Sequence, residues 1–325
     1  MHRNFRLVFS VILIWASLIF TFTACNENST DPNPDDFNNG IDYREMYKDS
    51  ILFLSNRFSD DASTYHILIM NCDGSAKREL FGKWNIQQVS WSLRTGRIFF
   101  VTDTASFHQT YQIGVCDIKG RNERIIYSSE YLISSIRISP DGNLLAMIVN
   151  NGNENKLQIL DCGDFSIRDL GGWQTREMGN VCWSPDGRTL GVPMLDSYGS
   201  PQSVHFATIS LDALHFKYGN KYFDMVSDYN RLDWCLANNK IVVNVNHYGF
   251  AVTYILDYIT KEDEIIYGGV WWVLGMSWSQ DGSKIAFSVN EWQSMHSYIF
   301  LLNGDGTNYV RLTDGEFDDR LPCWQ

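Results

Sequence analysis

The sequence predicts an all-β fold, a closed six-bladed β-propeller with four-stranded antiparallel blades, and three observations predict it. A turn of the type Trp-Ser-Pro-Asp-Gly recurs between apolar runs of strand length. The residue that opens it falls at Trp91, Ile138, Trp183, Trp234, Trp278 and Trp324, at steps of 47, 45, 51, 44 and 46 residues. The array also begins and ends in complementary halves of one unit. Strand-only repeats with a period in the forties are the signature of propeller blades.

Four copies, at residues 90–100, 138–146, 182–190 and 277–287, each read as a short strand, a tight turn and an apolar strand. Pro140 and Pro185 fix φ at the second turn position, while Gly142, Gly187 and Gly282 supply positive φ, so the turn forces a hairpin. A fifth copy at 233–243 carries Asn238-Asn239 where the others have Gly, and Asn is the next-best residue for a left-handed position. A second motif follows each pair of strands. Residues 67–74 and 299–306 are a third strand entering an Asn-x-Asp-Gly turn, with looser versions at 115–120 and 159–163.

The first copy, opening at Ser50, begins at a second strand and lacks its inner one. The C-terminus, Leu321-Pro322-Cys323-Trp324-Gln325, is an inner strand with nothing after it. Pairing Pro322-Cys323-Trp324 with the run from Ile51 to Leu54 completes one blade and closes the ring, leaving no open edge there.

The N-terminus predicts export. Arg3 and Arg6 precede an apolar run from Leu7 to Phe22, a positive n-region and an h-region of signal-peptide length. The run ends in Phe22-Thr23-Ala24-Cys25, which resembles a bacterial lipobox with Phe22 where Leu is usual. Residues 1–24 are thus expected to be a lipoprotein signal, with Cys25 acylated after cleavage. Residues 25–45 are expected to be a flexible tether, since the stretch NENSTDPNPDDFNNG has almost nothing to bury, and 46–325 to be the propeller. The residue after the cysteine is Asn26 rather than Asp, so the expected location is the cell envelope on the outer membrane, facing periplasm or exterior.

With 44% apolar and 14% aromatic residues the chain has ample material for a core. Net charge is −12, and losing Arg3 and Arg6 with the leader makes it −14. An acidic surface without a basic stripe argues against nucleic acid as a partner, and leaves the N-terminal lipid as the membrane contact. Besides Cys25 there are Cys72, Cys116, Cys162, Cys182, Cys235 and Cys323. They fall in separate blades, farther apart than the roughly 7 Å that a disulfide spans, so free buried thiols are expected.

The Trp-Ser-Pro-Asp-Gly turn, the Asn-x-Asp-Gly turn, the opening Leu54-Ser55-Asn56-Arg57 and the closing Arg311-Leu312-Thr313 together resemble the TolB-type propeller repeat, over about residues 50 to 325. The resemblance implies the propeller architecture and, more loosely, a periplasmic scaffolding role. Related repeats also occur in dipeptidyl-peptidase-type enzymes and oligogalacturonate lyases. The α/β N-terminal domain of TolB has no counterpart, because the tether leads straight into the first blade.

No catalytic residue is assigned. The chain has no Gly-x-Ser-x-Gly elbow, phosphate cradle, His-Glu-x-x-His or dinucleotide fingerprint, and no cofactor is expected. Asn303 to Asn308 looks like a calcium loop but lacks the terminal acid, and reads as a hairpin turn. His205, His247 and His296 fall in or near second-to-third-strand connections of neighbouring blades. They are the set that would meet if there were a metal site of the kind lyase relatives carry. They share no ligand spacing, and the reading stays with no metal.

The face bearing these connections is aromatic. Trp84, Trp173, Trp271 and Trp272 lie in loops between blades; Tyr198, Tyr248 and Trp292 lie in loops within them. Acids gather there too: Asp60, Asp61, Asp103, Glu154, Asp196, Glu291, Asp318 and Asp319. Aromatics and acids round a funnel suit a protein or peptide of the cell envelope carrying basic residues, or sugar rings stacking on Trp. The expected function is a monomeric, lipid-anchored binding or scaffold propeller. The alternative is a glycan-binding or metal-dependent glycan-cleaving one.

Overall fold

The computed structural model describes residues 41–104, 109–173, 179–196, 203–212, 216–224, 231–247, 250–269, 272–290 and 296–324. Six four-stranded antiparallel sheets form the blades. Blade 2 runs outward from the axis through Ile86–Ser92, Arg97–Asp103, Tyr111–Asp117 and Arg124–Ser129; blade 3 through Leu132–Ile138, Leu144–Asn150, Asn155–Asp161 and Ile167–Trp173. Blade 4 comprises Cys182–Trp183, Thr189–Asp196, Ser203–Ser210 and Phe216–Asp224; blade 5 comprises Arg231–Trp234, Lys240–His247, Phe250–Asp257 and Asp263–Gly269. Blade 6 is Trp272–Trp278, Lys284–Asn290, Ser297–Asn303 and Val310–Arg311.

Blade 1 is the composite the chain ends predict. The last strand, Asp319–Cys323, lies innermost and pairs antiparallel with Ser50–Ser55, setting Leu52 against Cys323 and Leu54 against Arg320. His66–Asn71 and Arg78–Phe81 complete it. The Ser55-Asn56-Arg57 opening is the latch on this joint. Asp319 is fully buried, and Arg57 donates to it at 3.2 Å and to Asp314 at 3.1 Å. Asn56 Oδ1 accepts the Asp318 N–H at 3.0 Å. Asp318 in turn accepts from Ser297 N–H at 2.9 Å and from the Tyr65 hydroxyl. Asp318 and Asp319 are therefore closure residues, not the free rim acids that their position in the sequence suggested.

Why the strands are apolar on both sides follows from the core. Among the described residues the buried apolar side chains form six clusters, one in each gap between neighbouring blades. Leu52 and Leu54 pack with Trp91 and Phe100 of blade 2, whereas Ile51 and Phe53 of the same strand pack with Ile299 and Leu301 of blade 6. A strand buried on both faces reads as a continuous apolar run rather than an alternating one.

The turns bear out their sequence, with one exception. Ser139 Oγ donates to Asp141 Oδ1 at 2.5 Å and accepts the Leu144 N–H at 2.9 Å, and Gly142 takes φ +80°. Ser184 with Asp186, and Ser279 with Asp281, repeat the arrangement, each pair at 2.6 Å. In blade 5 neither Asn238 nor Asn239 adopts positive φ, against expectation. Asn238 Oδ1 instead accepts the Lys240 N–H at 2.9 Å.

The folded part starts earlier than the tether boundary drawn from composition. Tyr43 is buried against the blade 1–blade 2 cluster, and its N–H reaches the Leu93 carbonyl at 2.8 Å. The short helix Arg44–Tyr47 follows, with Tyr47 edge-on to Trp91. Trp324 Nε1 donates to the Lys48 carbonyl at 2.9 Å. This segment crosses the face bearing the Ser-x-Asp-Gly turns, called here the turn face. The loops between blades lie on the opposite, loop face.

Candidate functional site

Each innermost strand runs from loop face to turn face, so equivalent positions form rings round the axis. The ring one residue before the anchor is Ser90, Arg137, Cys182, Asp233, Ser277 and Cys323. Five of these side chains can accept a hydrogen bond, and three of them accept the anchor N–H of the next blade. Ser90 takes that of Ile138 at 3.1 Å, Asp233 that of Trp278 at 2.8 Å and Ser277 that of Trp324 at 2.9 Å. The thiols of Cys182 and Cys323 face those of Trp234 and Trp91. A guanidinium accepts nothing, so blades 3 and 4 are stitched differently: Trp183 Nε1 donates to the Arg137 carbonyl at 2.8 Å.

Arg137 spends its side chain across the axis. It donates to Asp233 Oδ1 and, at 3.3 Å, to Ser277 Oγ, and it lies 3.5 Å from Cys323 Sγ. The channel is closed at its waist by this contact. Burial pushes the Asp233 carboxyl up against the pull of Arg137. At Arg137 burial is the largest single influence and lowers its pKa, but the attraction and hydrogen bond of Asp233, together with the neighbouring Cys323 and Cys182, outweigh it and hold the proton more tightly than usual. Burial also pushes the Cys182 and Cys323 thiols up, so both are neutral and unreactive. All six described cysteines are free.

A well remains on either side of the waist. Towards the turn face a cavity of about 20 Å³ lies among Trp183, Trp234, Trp278 and Trp324. It widens to one of about 420 Å³ lined by Leu93, Pro140, Pro185 and Leu236. Towards the loop face a cavity of about 40 Å³ is lined by Gln88, Ser135, Arg137, Asn180 and Arg231.

The predicted rim residues fare differently. Trp84 is half-buried, with its ring 5.4 Å from Phe81 and 5.7 Å from Phe100, and fills the gap between blades 1 and 2. Trp272 opens the inner strand of blade 6 and is 40% exposed. Trp173 ends the outer strand of blade 3 opposite Asn155, its side chain lying outside the described residues. Cys25, Tyr198, Tyr248, Trp271 and Trp292 also lie outside them. Two exposed rings join Trp272 on the loop face, Phe58 and Tyr131, each 51% exposed.

His205 sits within Ser203–Ser210 opposite Met194, His247 ends Lys240–His247 opposite Phe250, and His296 precedes Ser297–Asn303. The side chains of His205 and His247 are outside the described residues. Among the described residues no group of three or more His, Cys, Asp or Glu could hold a metal ion. No described helix is long and apolar enough to cross a membrane.

Sequence reasoning missed the waist ring. Its signal was present: aligning the repeats puts five acceptors and one arginine in a single column.

No protein-family model matches the chain, and no curated protein matches it. Solved structures do. TolB from Acinetobacter baumannii is 16% identical with a TM-score of 0.69, over 87% of this chain and 67% of that one. A putative TolB from Agrobacterium tumefaciens is 14% identical with a TM-score of 0.60, over 84% and 89%. A chain of a nidogen/laminin complex is 8% identical with a TM-score of 0.63, over 84% and 97%. At these identities the likeness shows the fold, a TolB-like six-bladed propeller.

Proposed function

We propose that the chain is a lipid-anchored propeller of the cell envelope that docks a polypeptide on its loop face. The observation that carries this reading is the set of exposed rings, Phe58, Tyr131 and Trp272, spread round the loop face. They surround a channel that Arg137 and Asp233 close, so a partner lies over the mouth rather than threading through. Large exposed aromatics on a polar surface mark contact sites. The exposed acids Asp60, Asp61 and Glu130 on the same face favour a partner with basic residues. The matching chain in a nidogen/laminin complex supports the reading in kind, since there a propeller of this fold stands in a protein complex.

The anchor rests on the leader and Cys25. Metabolic labelling with a radioactive fatty acid should mark the wild type and leave Cys25→Ala unlabelled. For docking, a photo-crosslinking amino acid placed at Trp272 should trap a discrete envelope protein. The same group at Ile259, exposed on the turn face, should trap none. Equal trapping from both positions, or none from either, overturns the docking reading. Retention on an immobilised oligosaccharide that Trp272→Ala abolishes, with no protein trapped, would put the glycan reading first.

A further inference from the structure

The cavity at the loop-face end of the channel has a composition unlike the rest of that face. Gln88, Ser135, Asn180 and Arg231 stand three residues before their anchors, and Arg137 forms the floor. A break in strand register precedes this position in three blades, between Ile86 and Gln88, Ile133 and Ser135, and Val273 and Gly275. Such bulges re-aim the side chain that follows, here those of Gln88 and Ser135 into the ring; Gly275 has none.

The lining supplies donors. Ser135 is buried; its oxygen accepts the Val181 N–H at 3.2 Å, and its own proton has no acceptor among the described residues. The Gln88 side chain makes no hydrogen bond among them, and so presents an amide to the cavity. Arg231 is oriented by its Nε, which donates to the Leu274 carbonyl at 2.7 Å. The Arg231 guanidinium lines the cavity over Arg137, which is already spent on Asp233, Ser277 and Cys323, and among the described lining residues there is no carboxylate. The nearby Asp233 is committed, one oxygen to Arg137 and the other to the Trp278 N–H.

Size narrows the ligand. A buried water needs about 10 to 15 Å³ of cavity, and this one offers about 40 Å³. That is room for a few waters or for one small polar group such as a carboxylate. Guanidinium, amide and hydroxyl donors converging on one small space match a carboxylate's lone pairs. We propose that the loop-face end of the channel is a carboxylate site, filled by an acidic side chain or C-terminus of the docked polypeptide. The polypeptide source rests on the function proposed above; the site itself does not. The partner's pattern is then one carboxylate on the axis, with basic residues outside it facing Asp60, Asp61 and Glu130.

The test uses the full mature chain and the fluorine signal of trifluoroacetate. Its line should broaden saturably with protein and sharpen again on adding acetate. Arg231→Gln should weaken the effect at least tenfold and Ser135→Ala by a few-fold, while Ile259→Ala, on the turn face, leaves it unchanged. Arg231 also holds Leu274, so a variant that removes no existing bond is needed. Gln88→Glu places a carboxylate in the cavity; it should abolish trifluoroacetate broadening and raise the melting temperature above pH 6. Broadening that does not saturate, or that survives in both Arg231→Gln and Gln88→Glu, overturns the site. Acetylated, amidated Lys-Lys-Glu-Lys-Lys should displace the probe where the Gln-centred peptide does not. Displacement by acetate but by neither that peptide nor one with a free C-terminus overturns the polypeptide source and leaves a site for small acids.

Discussion

Arg137 of blade 3 and Asp233 of blade 5 meet across the axis, and in doing so Arg137 leaves its own neighbour without the acceptor that Ser90, Asp233 and Ser277 supply to theirs. The pair joins blades that share no seam. Breaking a buried pair by removing one partner costs about 3 to 5 kcal/mol, because the survivor is left charged and unpaired. Asp233→Ala should lose that much in denaturant titration, since it also strands the Trp278 N–H. The double variant Arg137→Met/Asp233→Asn should lose clearly less than the two single losses added together. Additive losses would show that the two side chains act independently.

Ring closure depends on the last few residues. Trp324 is buried between blades 1 and 6, its N–H on Ser277 and its indole N–H on Lys48. Trp324→Ala should cost about 3 to 5 kcal/mol. Deleting residues 321–325 should lower the melting point of the whole domain in one transition. A deletion variant that melts like the full chain would refute closure.

Turn glycines carry a second duty that their backbone angle hides. Gly120 has φ +74°, and a Cβ there would stand 2.0 Å from the Leu80 carbonyl oxygen of the preceding blade. Gly152, at φ +88°, would meet nothing within 4 Å. Gly152→Ala should cost only the left-handed strain, about 1 to 2 kcal/mol. Gly120→Ala should cost about 1 to 3 kcal/mol more, the usual range for overpacking. Equal losses in chemical denaturation would remove the packing duty.

The turn aspartates make stability depend on acid. Hydrogen bonds from the Ser279 hydroxyl and the Ser283 N–H hold Asp281 below the usual carboxylate range. A carboxyl that is more acidic folded than unfolded adds stability above its unfolded pKa and loses it as pH falls through the folded one. The melting-temperature gap between wild type and Asp281→Asn should therefore be full near pH 7 and shrink as pH falls below about 4. A gap that stays constant down to pH 2 would mean that the charge contributes nothing.

The blades, their number and the closing strand were legible because they depend on periodic features: a turn with fixed backbone angles and strands buried on both faces. The waist was not. Ser90, Cys182, Asp233, Ser277 and Cys323 look unrelated until their common ability to accept an N–H is noticed. Asp318 and Asp319 read as surface acids because the partners that bury them, Asn56, Arg57 and Tyr65, lie at the far end of the chain. Trp84 and Trp272 are chemically identical, yet Phe81 and Phe100 pack on Trp84 and leave it half-buried, while Trp272 is 40% exposed.

The docked segment at Tyr43 and Lys48 also sets how the molecule bears load. Tension on the N-terminus first meets the Tyr43–Leu93 and Lys48–Trp324 contacts. It then runs along Ser50–Ser55, a strand held on both sides by Asp319–Cys323 and His66–Asn71. Pulled lengthwise, that strand loads its ladder bonds together in shear instead of peeling them one at a time. The seam that closes the ring is thereby its mechanical clamp.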